Sequence, residues 1–228
     1  MSLLNILDEF GIERQRRIQG LLESDPHALV LWRRAISTLV NDSDQARLSY
    51  AFDFASALKY RHIGLTSDIY FSHPLRVAGL AVLISDKQDV ETGILGILHN
   101  VLEVSDVSLS KLSATFGNAI AEQIKILTVD RELQWDFSYK TNYYNQLMQG
   151  PLSARIVKIV DKLDNLFVLG LNPDASVRSK YLKEIEEFII PMTATSLPAV
   201  TSYMRALVKD CSATGFIEWP VVTNIGKQ

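Results

Sequence analysis

Cysteine is nearly absent from this chain, and no long apolar run interrupts its polar residues. Cys211 is the only cysteine, so an intrachain disulfide and a thiolate metal cluster are excluded. No uncharged apolar stretch reaches the roughly 18 residues of a membrane span. Neither sign of charge dominates, because 23 lysines and arginines stand against 26 acidic residues. This balance argues against a nucleic-acid or membrane partner, although a local pocket for a phosphorylated metabolite is compatible with it.

The remaining composition is that of an ordinary soluble globular protein. The 228 residues are 47% hydrophobic and 21% charged, which suits one full core, or one core with a small extension. The first residues, MSLLNILDEFGIERQRR, carry charges too early and too evenly for a signal peptide. We therefore expect a cytoplasmic protein.

Strand-like alternation is scarce, and apolar residues recur at helical spacing along most of the chain. Residues typical of helix starts lie between these apolar runs, among them Asp25-Pro26, Asn41 to Asp44 and Asn172-Pro173-Asp174. The sequence therefore predicts an all-α fold.

The stretch from His73 to Glu103 holds two of the four histidines. Proline is well tolerated in a first helical turn, so Pro74 favours a helix that starts at His73. Residues 94–102 are apolar almost all round and predict one buried helix. That helix carries His99, Asn100 and Glu103, of which the first and last would share a face. Polar groups in such a setting must be paired or must coordinate something.

A second apolar run, residues 152–169, also predicts a buried helix with a polar cluster, formed by Lys158, Asp161, Asp164 and Asn165. We expect the two clusters to face one another. His73, His99 and Asp161 would then form an N,N,O set suited to Mn²⁺, Fe²⁺ or Zn²⁺, with open positions for water and substrate. The alternative from the residues alone is a buried polar network that only fixes core packing.

Five ordered segments resemble the HD-domain superfamily: FSHPLRVAG (71–79), ILHNVLE (97–103), FGNAIA (116–121), VKIVDKLDNL (157–166) and YLKEIEEFIIP (181–191). More narrowly, they resemble the alarmone (ppGpp) hydrolase domain of RelA/SpoT proteins and the small metazoan-type alarmone hydrolases. The resemblance covers roughly residues 46–196. It implies an all-helical fold that holds a single Mn²⁺.

The resemblance also implies roles for individual residues. The metal positions are His73, His99, Asn100 and Asp161. Glu103 matches a catalytic carboxylate, and Asn100 stands beside it in the catalytic motif. The positions that contact the nucleotide sugar or phosphates are Lys158, Lys162 and Asn165. The implied ligand is a nucleotide or another phosphorylated metabolite.

Three working parts of the family are altered in this sequence. The signature His-Asp is here His99-Asn100, so a neutral amide replaces a charged ligand. The paired Glu-Asp that follows is Glu103-Val104, which removes a carboxylate that helps to activate water. The loop before His73 is shorter than in the family and lacks the Arg-Lys pair that stacks on the guanine nucleotide, leaving only Arg61 and His62 nearby.

These observations predict a helical N-terminal extension over residues 1–45, an HD domain of the alarmone-hydrolase type over 46–211 and a C-terminal tail over 212–228. The function that they favour is a metal-dependent phosphohydrolase acting on a (p)ppGpp-like or other nucleotide pyrophosphate, with activity impaired by the three changes. The alternative is a catalytically inactive relative that serves as a nucleotide-binding or protein-interaction module.

Overall fold

The computed structural model describes residues 10–23, 25–39, 41–62, 64–85 and 89–219. The first residues of the predicted N-terminal extension and the end of the predicted tail, from residue 220 onward, lie outside these ranges. Part of the tail is described, and its Ile217 N–H donates to the carbonyl of Gly170 over 2.8 Å. Ile217 therefore lies against the main body after the last helix of the described residues.

Helices form all of the regular secondary structure in the described ranges, as the sequence predicts. The α-helices are α1 (Phe10–Gly20), α2 (Pro26–Ser37), α3 (Asp42–Ser56), α4 (Ser67–Ile84), α5 (Val90–Leu98), α6 (Val101–Val104), α7 (Leu109–Phe116), α8 (Asn118–Leu127), α9 (Phe137–Gln149), α10 (Leu152–Val168), α11 (Ala175–Glu184), α12 (Ile190–Ser196) and α13 (Thr201–Thr214). A π-helical turn, Ile185–Ile189, joins α11 to α12, and short 3₁₀ turns lie at Leu169–Leu171 and Pro198–Val200. Among the described helices, none is both long and apolar enough for a membrane span.

Side-chain caps explain where several helices begin. Asp25, Asn41, Thr66, Asp89 and Asp174 each accept a hydrogen bond from a backbone N–H in the first turn that follows. These N–H groups have no partner within the helix, so an oxygen at the cap position stabilises the helix start.

The helix that carries His73 begins six residues earlier than Pro74 suggests. Thr66 caps α4, so His73 lies in the second turn and Pro74 lies inside the helix. Pro74 has no N–H to donate to the carbonyl of Tyr70, which costs one helical hydrogen bond. The prediction of a helix start at His73 is therefore wrong, because the Thr66 cap and the burial of the α4 side chains outweigh the proline signal.

The predicted buried helix over residues 94–102 is broken in the middle. α5 ends at Leu98, His99 and Asn100 form a turn, and α6 restarts at Val101. The Asn100 backbone, with φ −118° and ψ 7°, is outside the helical region. His99 and Glu103 consequently do not share one continuous helical face.

Three central helices build the core around the predicted site. α4 packs against α2, α5 and α10, and α10 also contacts α1 and α5. The crossing of α4 and α5 depends on Gly96, because a Cβ at this position would lie 2.6 Å from the Cα of Ala78. This close approach brings the helix that carries His73 next to α5, which His99 directly follows.

Candidate metal centre

The structure brings together His73 from α4, Asp161 from α10 and His99 from the turn that follows α5. The Nε2 atoms of His73 and His99 lie 3.3 Å and 3.6 Å from Oδ1 of Asp161. One ligand atom from each residue lies within 4.8 Å of the other two. Metal–ligand bonds near 2 Å place neighbouring ligand atoms roughly 3–4 Å apart, so the cluster has the dimensions of a divalent cation site.

Both imidazole rings are oriented by a hydrogen bond on their other nitrogen. Nδ1 of His99 donates to the carbonyl oxygen of Gly96 over 2.7 Å. Nδ1 of His73 lies 2.9 Å from Oδ2 of Asp164, to which it donates. Each bond assigns the ring proton to Nδ1 and leaves the Nε2 lone pair directed at Asp161, which is the tautomer that a metal requires.

The Asn100 side chain supplies an independent test of whether these residues fit a cation. Its Nδ2 donates to the hydroxyl of Tyr70, while its Oδ1 is buried without a hydrogen-bond partner. A buried carbonyl oxygen without a partner costs roughly 1–3 kcal/mol. An amide oxygen is also a suitable ligand for a hard cation. The donor set, with one buried oxygen still unsatisfied, therefore fits a divalent metal.

Asp161 is held as a carboxylate by the groups around it. Its Oδ2 lies 3.2 Å from Nζ of Lys158, and its Oδ1 accepts a hydrogen bond of 2.8 Å from Nδ2 of Asn165. Burial alone would raise the pKa of Asp161, but the neighbouring Lys158 ammonium holds that pKa well below its ordinary value. The side chain is therefore anionic at neutral pH, as a metal ligand must be.

Lys158 is itself buried, with 3% of its surface exposed. Burial would lower the pKa of Lys158, but Tyr143, Asp161 and Glu103 together raise it above its ordinary value. The ammonium group also lies over the Tyr143 ring, 5.6 Å from its centroid. Lys158 therefore places a permanent positive charge beside Asp161.

Glu103 lies close to this cluster, on the helix that follows the His99–Asn100 turn. Its Oε1 accepts a hydrogen bond of 2.9 Å from the backbone N–H of Val129, and its Oε2 forms an ion pair of 2.5 Å with Arg131. The Glu103 side chain is 5% exposed whereas that of Arg131 is 60% exposed. Burial would lower the pKa of Arg131, but Glu103 and Asp161 raise it. The loop that holds Arg131 thus covers the carboxylate.

Comparisons with known proteins agree with this geometry. Residues 70–166 match the HD domain, a range that contains every site residue predicted from the sequence. This segment is therefore similar to HD domains.

Two curated relatives illustrate the similarity of the HD domain to hydrolases. The chain is 27% identical over 144 residues to guanosine-3′,5′-bis(diphosphate) 3′-pyrophosphohydrolase of Aquifex aeolicus, covering 62% of this chain and 20% of that protein. It is 24% identical over 163 residues to the bifunctional (p)ppGpp synthase/hydrolase SpoT of Escherichia coli K12, covering 69% of this chain and 23% of that protein. The chain thus spans about a fifth of the length of these relatives.

A solved structure matches the fold of the chain. It is described as a metazoan orthologue of SpoT that hydrolyses ppGpp, and it superposes with a TM-score of 0.57 at 18% sequence identity. The match covers 75% of this chain and 97% of the other. At this identity the match establishes the fold, which is the all-α arrangement predicted from the sequence.

Lys162 and Glu184 form a second charged cluster beside the HD-domain site. Nζ of Lys162 lies 2.6 Å from Oε1 of Glu184, and Nζ of Lys140 lies 2.5 Å from Oε2. Burial would raise the pKa of Glu184, but Lys162, Lys140 and Tyr144 lower it to about 2. Lys162 also lies over the Tyr181 ring, 4.5 Å from its centroid. Glu184 is therefore shared by two ammonium groups and offsets only part of their positive charge.

Several side chains around the HD-domain site were not assigned a role from the sequence. Tyr70 holds Asn100, and Arg131 holds Glu103. Arg76 and Arg17 both contact Asp164. Spacing could have indicated Arg76 and Asp164, because each lies three residues after a predicted ligand, on the same helical face. Arg17 is distant in sequence, and no local pattern connects it to the site.

Proposed function

We propose that this chain is a metal-dependent phosphohydrolase that acts on a nucleotide pyrophosphate of the (p)ppGpp type. The observation that carries the proposal is the convergence of His73, His99 and Asp161 within 4.8 Å of one another. A pure interaction module has no need for two imidazole nitrogens directed at one buried carboxylate. The similarity to curated pyrophosphohydrolases supports the reaction class.

In this proposal a divalent cation, Mn²⁺ by resemblance, is held by His73, His99 and Asp161, with Oδ1 of Asn100 as an additional neutral ligand. When bound, such an ion polarises a phosphoryl oxygen and lowers the pKa of a coordinated water. Asn165 keeps Asp161 in place through its 2.8 Å hydrogen bond.

The remaining residues act on the water and on the phosphates. Glu103 orients the attacking water and accepts its proton as a general base. The water oxygen forms a bond to phosphorus as the bond from that phosphorus to the sugar oxygen breaks. The sugar oxygen leaves and takes a proton from solvent to become a hydroxyl, and the pyrophosphate that now carries the water oxygen is released. Lys158 balances the negative charge of the phosphates, and Lys162 reaches them by exchanging its contact with Glu184. The side-chain amide of Asn165, which lies beside Asp161, can also form a hydrogen bond with the sugar or a phosphate.

The second candidate is a nucleotide-binding protein without catalysis, and Asn100 favours it. A neutral amide contributes less to cation binding than the carboxylate found at this position in the resembling family. One carboxylate oxygen of Glu103 is also occupied by its ion pair with Arg131, which leaves that oxygen less available to a water molecule. This candidate retains nucleotide binding and predicts no turnover.

One experiment separates the two candidates. Mn²⁺ affinity is measured by calorimetry, and hydrolysis of ppGpp, GDP, ADP and NADPH is then followed with added Mn²⁺ by the release of pyrophosphate, inorganic phosphate or mononucleotide. Turnover that disappears in Asp161→Asn and Glu103→Gln supports the hydrolase. Saturable nucleotide binding without turnover supports the binding protein. Absence of both Mn²⁺ and nucleotide binding contradicts the proposal.

A further inference from the structure

Asp164 is the most heavily bonded carboxylate in the described residues, and it has no role in the chemistry proposed above. It is 1% exposed. Besides Nδ1 of His73, it accepts hydrogen bonds from two arginines. Nε of Arg76 lies 3.0 Å from Oδ1, and Nη2 of Arg76 lies 3.0 Å from Oδ2. Nε of Arg17 lies 2.8 Å from Oδ1. The two guanidinium groups keep this carboxylate charged and fix its plane.

Each arginine is in turn held by a residue of the N-terminal region. Nη1 of Arg17 lies 2.5 Å from Oε2 of Glu13, and its guanidinium lies over the Phe167 ring, 4.1 Å from the centroid. Nη1 of Arg76 lies 2.5 Å from Oδ2 of Asp25. Arg17 is 2% exposed, so this is a desolvated network rather than a set of surface ion pairs. Breaking a buried pair is far more costly than breaking an exposed one.

The position of the Asp164 carboxylate decides the orientation of His73. Histidines that bind metals commonly donate their second N–H to a carboxylate, which selects the tautomer and fixes the ring plane. The His73 Nδ1–Asp164 bond of 2.9 Å has this arrangement. Arg17 binds only Oδ1 of Asp164, and so leaves a lone pair of Oδ2 directed at the His73 ring.

We propose that Arg17, on helix α1, is a positioning residue of the metal centre that acts on His73 through Asp164. Helix α1 is therefore part of the site although it contributes no ligand and lies before the HD-domain match. This inference rests on the proposed metal role of His73. Arg17 is expected to set the orientation of the His73 ring in the metal-free protein as well.

The test compares two arginines of the same helix in the full chain. Arg17→Gln removes the contact with Asp164. Arg14→Gln is the matched control, because Arg14 pairs with Asp210 on α13 and does not touch Asp164. Calorimetry should show Mn²⁺ affinity about tenfold lower in Arg17→Gln, the size of effect typical for residues that orient metal ligands. Arg14→Gln should keep the parent affinity, even if its melting temperature falls.

A second measurement does not require metal. The imidazole nitrogens of the four histidines are observed by ¹⁵N NMR in the metal-free protein, with His73 assigned from a His73→Asn spectrum. We expect the His73 Nδ1 signal to shift in Arg17→Gln and to stay unchanged in Arg14→Gln. If Arg17→Gln does not fold, Arg17→Lys replaces it, because an ammonium group keeps the charge but cannot contact Glu13 and Asp164 with one planar fork. Its Mn²⁺ affinity should then fall at least threefold.

Three outcomes overturn the inference. The first is an unchanged His73 signal and an unchanged Mn²⁺ affinity in the Arg17 variant. The second is an equal loss of affinity in the Arg17 and Arg14 variants, since the attachment of α1 would then matter rather than the contact with Asp164. The third applies if the parent protein binds no Mn²⁺, a result that by itself contradicts the proposed function. In that case the NMR comparison alone decides, and an unchanged His73 signal rejects the positioning role.

Discussion

The side-chain amide of Asn100 donates a hydrogen bond to the Tyr70 hydroxyl, which turns the Asn100 carbonyl oxygen toward a buried position without a partner. This relationship makes position 100 a candidate ligand in spite of its missing charge.

The first prediction concerns that charge. Asn100→Asp should tighten Mn²⁺ binding by about tenfold, equivalent to about 1.4 kcal/mol, because an anionic oxygen beside a divalent ion is a stronger ligand than an amide oxygen. The Tyr70 hydroxyl can donate to the new carboxylate, so the geometry is retained. Calorimetry with Mn²⁺ measures the change, and an unchanged affinity would remove position 100 from the metal shell.

The single Asn100→Asp substitution is a better test than a double variant with Val104→Asp. Val104 is 7% exposed and belongs to the apolar core. A carboxylate there would be buried without a charge partner, which costs stability. The carboxylate that the family carries at this position has therefore been replaced by a core contact in this chain.

The second prediction concerns the close crossing of α4 and α5. Gly96→Ala places a Cβ 2.6 Å from the Cα of Ala78, so the two helices must separate. The free energy of unfolding should fall by about 2 kcal/mol, within the usual range for overpacking, and Mn²⁺ affinity should fall because His73 and His99 move apart. Gly11→Ala is the control, since its Cβ meets nothing within 4 Å. Parent-like stability in both variants would contradict this packing.

The third prediction is a pH dependence of stability that originates at Glu184. The pKa of its carboxyl is lowered to about 2 in the folded chain, whereas an unfolded glutamate has a pKa of about 4.3. The unfolded state therefore takes up this proton first as the pH falls. The stabilisation is fully present above about pH 5 and is lost between about pH 4.3 and pH 2, amounting to roughly 3 kcal/mol.

Urea titrations of the parent and Glu184→Gln, at several pH values between 7 and about 2.5, isolate this contribution. The variant should be less stable at neutral pH, because Lys140 and Lys162 lose their partner. Its stability should then fall less steeply with acid than that of the parent. Parallel pH profiles would show that another carboxyl group dominates the acid response.

The fourth prediction concerns substrate preference. Nη2 of Arg61 lies 2.9 Å from the carbonyl oxygen of Ser105, and its Nη1 lies 2.9 Å from Asp106. Arg61 is thus engaged with the segment after α6, and these contacts compete with stacking on a purine. We expect ppGpp to bind no more than a few times more tightly than GDP, ADP or NADPH, with affinities that fall as salt screens the phosphate contacts.

Fluorescence or calorimetric titrations of the four nucleotides at low and high salt measure this preference. Tight and salt-insensitive binding of ppGpp alone would mean that other residues have rebuilt a guanine site. Arg61→Gln provides a control, because it should leave all four affinities nearly unchanged if Arg61 contacts only Ser105 and Asp106.

The sequence by itself determined the fold class and the membership of the central cluster. Apolar residues at helical spacing can be buried only by helices, and capping residues such as Asp25 and Asp174 mark where helices begin. His99 and Asp161 lie in apolar runs, which indicated that these polar groups need partners. The apolar runs did not identify the partners. These features are local, so they can be seen in a linear sequence.

Only the tertiary structure decided how the cluster is supported. The course of α4 through Pro74 and the break at His99–Asn100 were not predicted from the local proline and hydrophobic signals. The contact of Arg17 with Asp164 joins positions 147 residues apart. Buried ionic groups choose partners by distance and desolvation in three dimensions, and neither quantity is written in the spacing of residues along the chain.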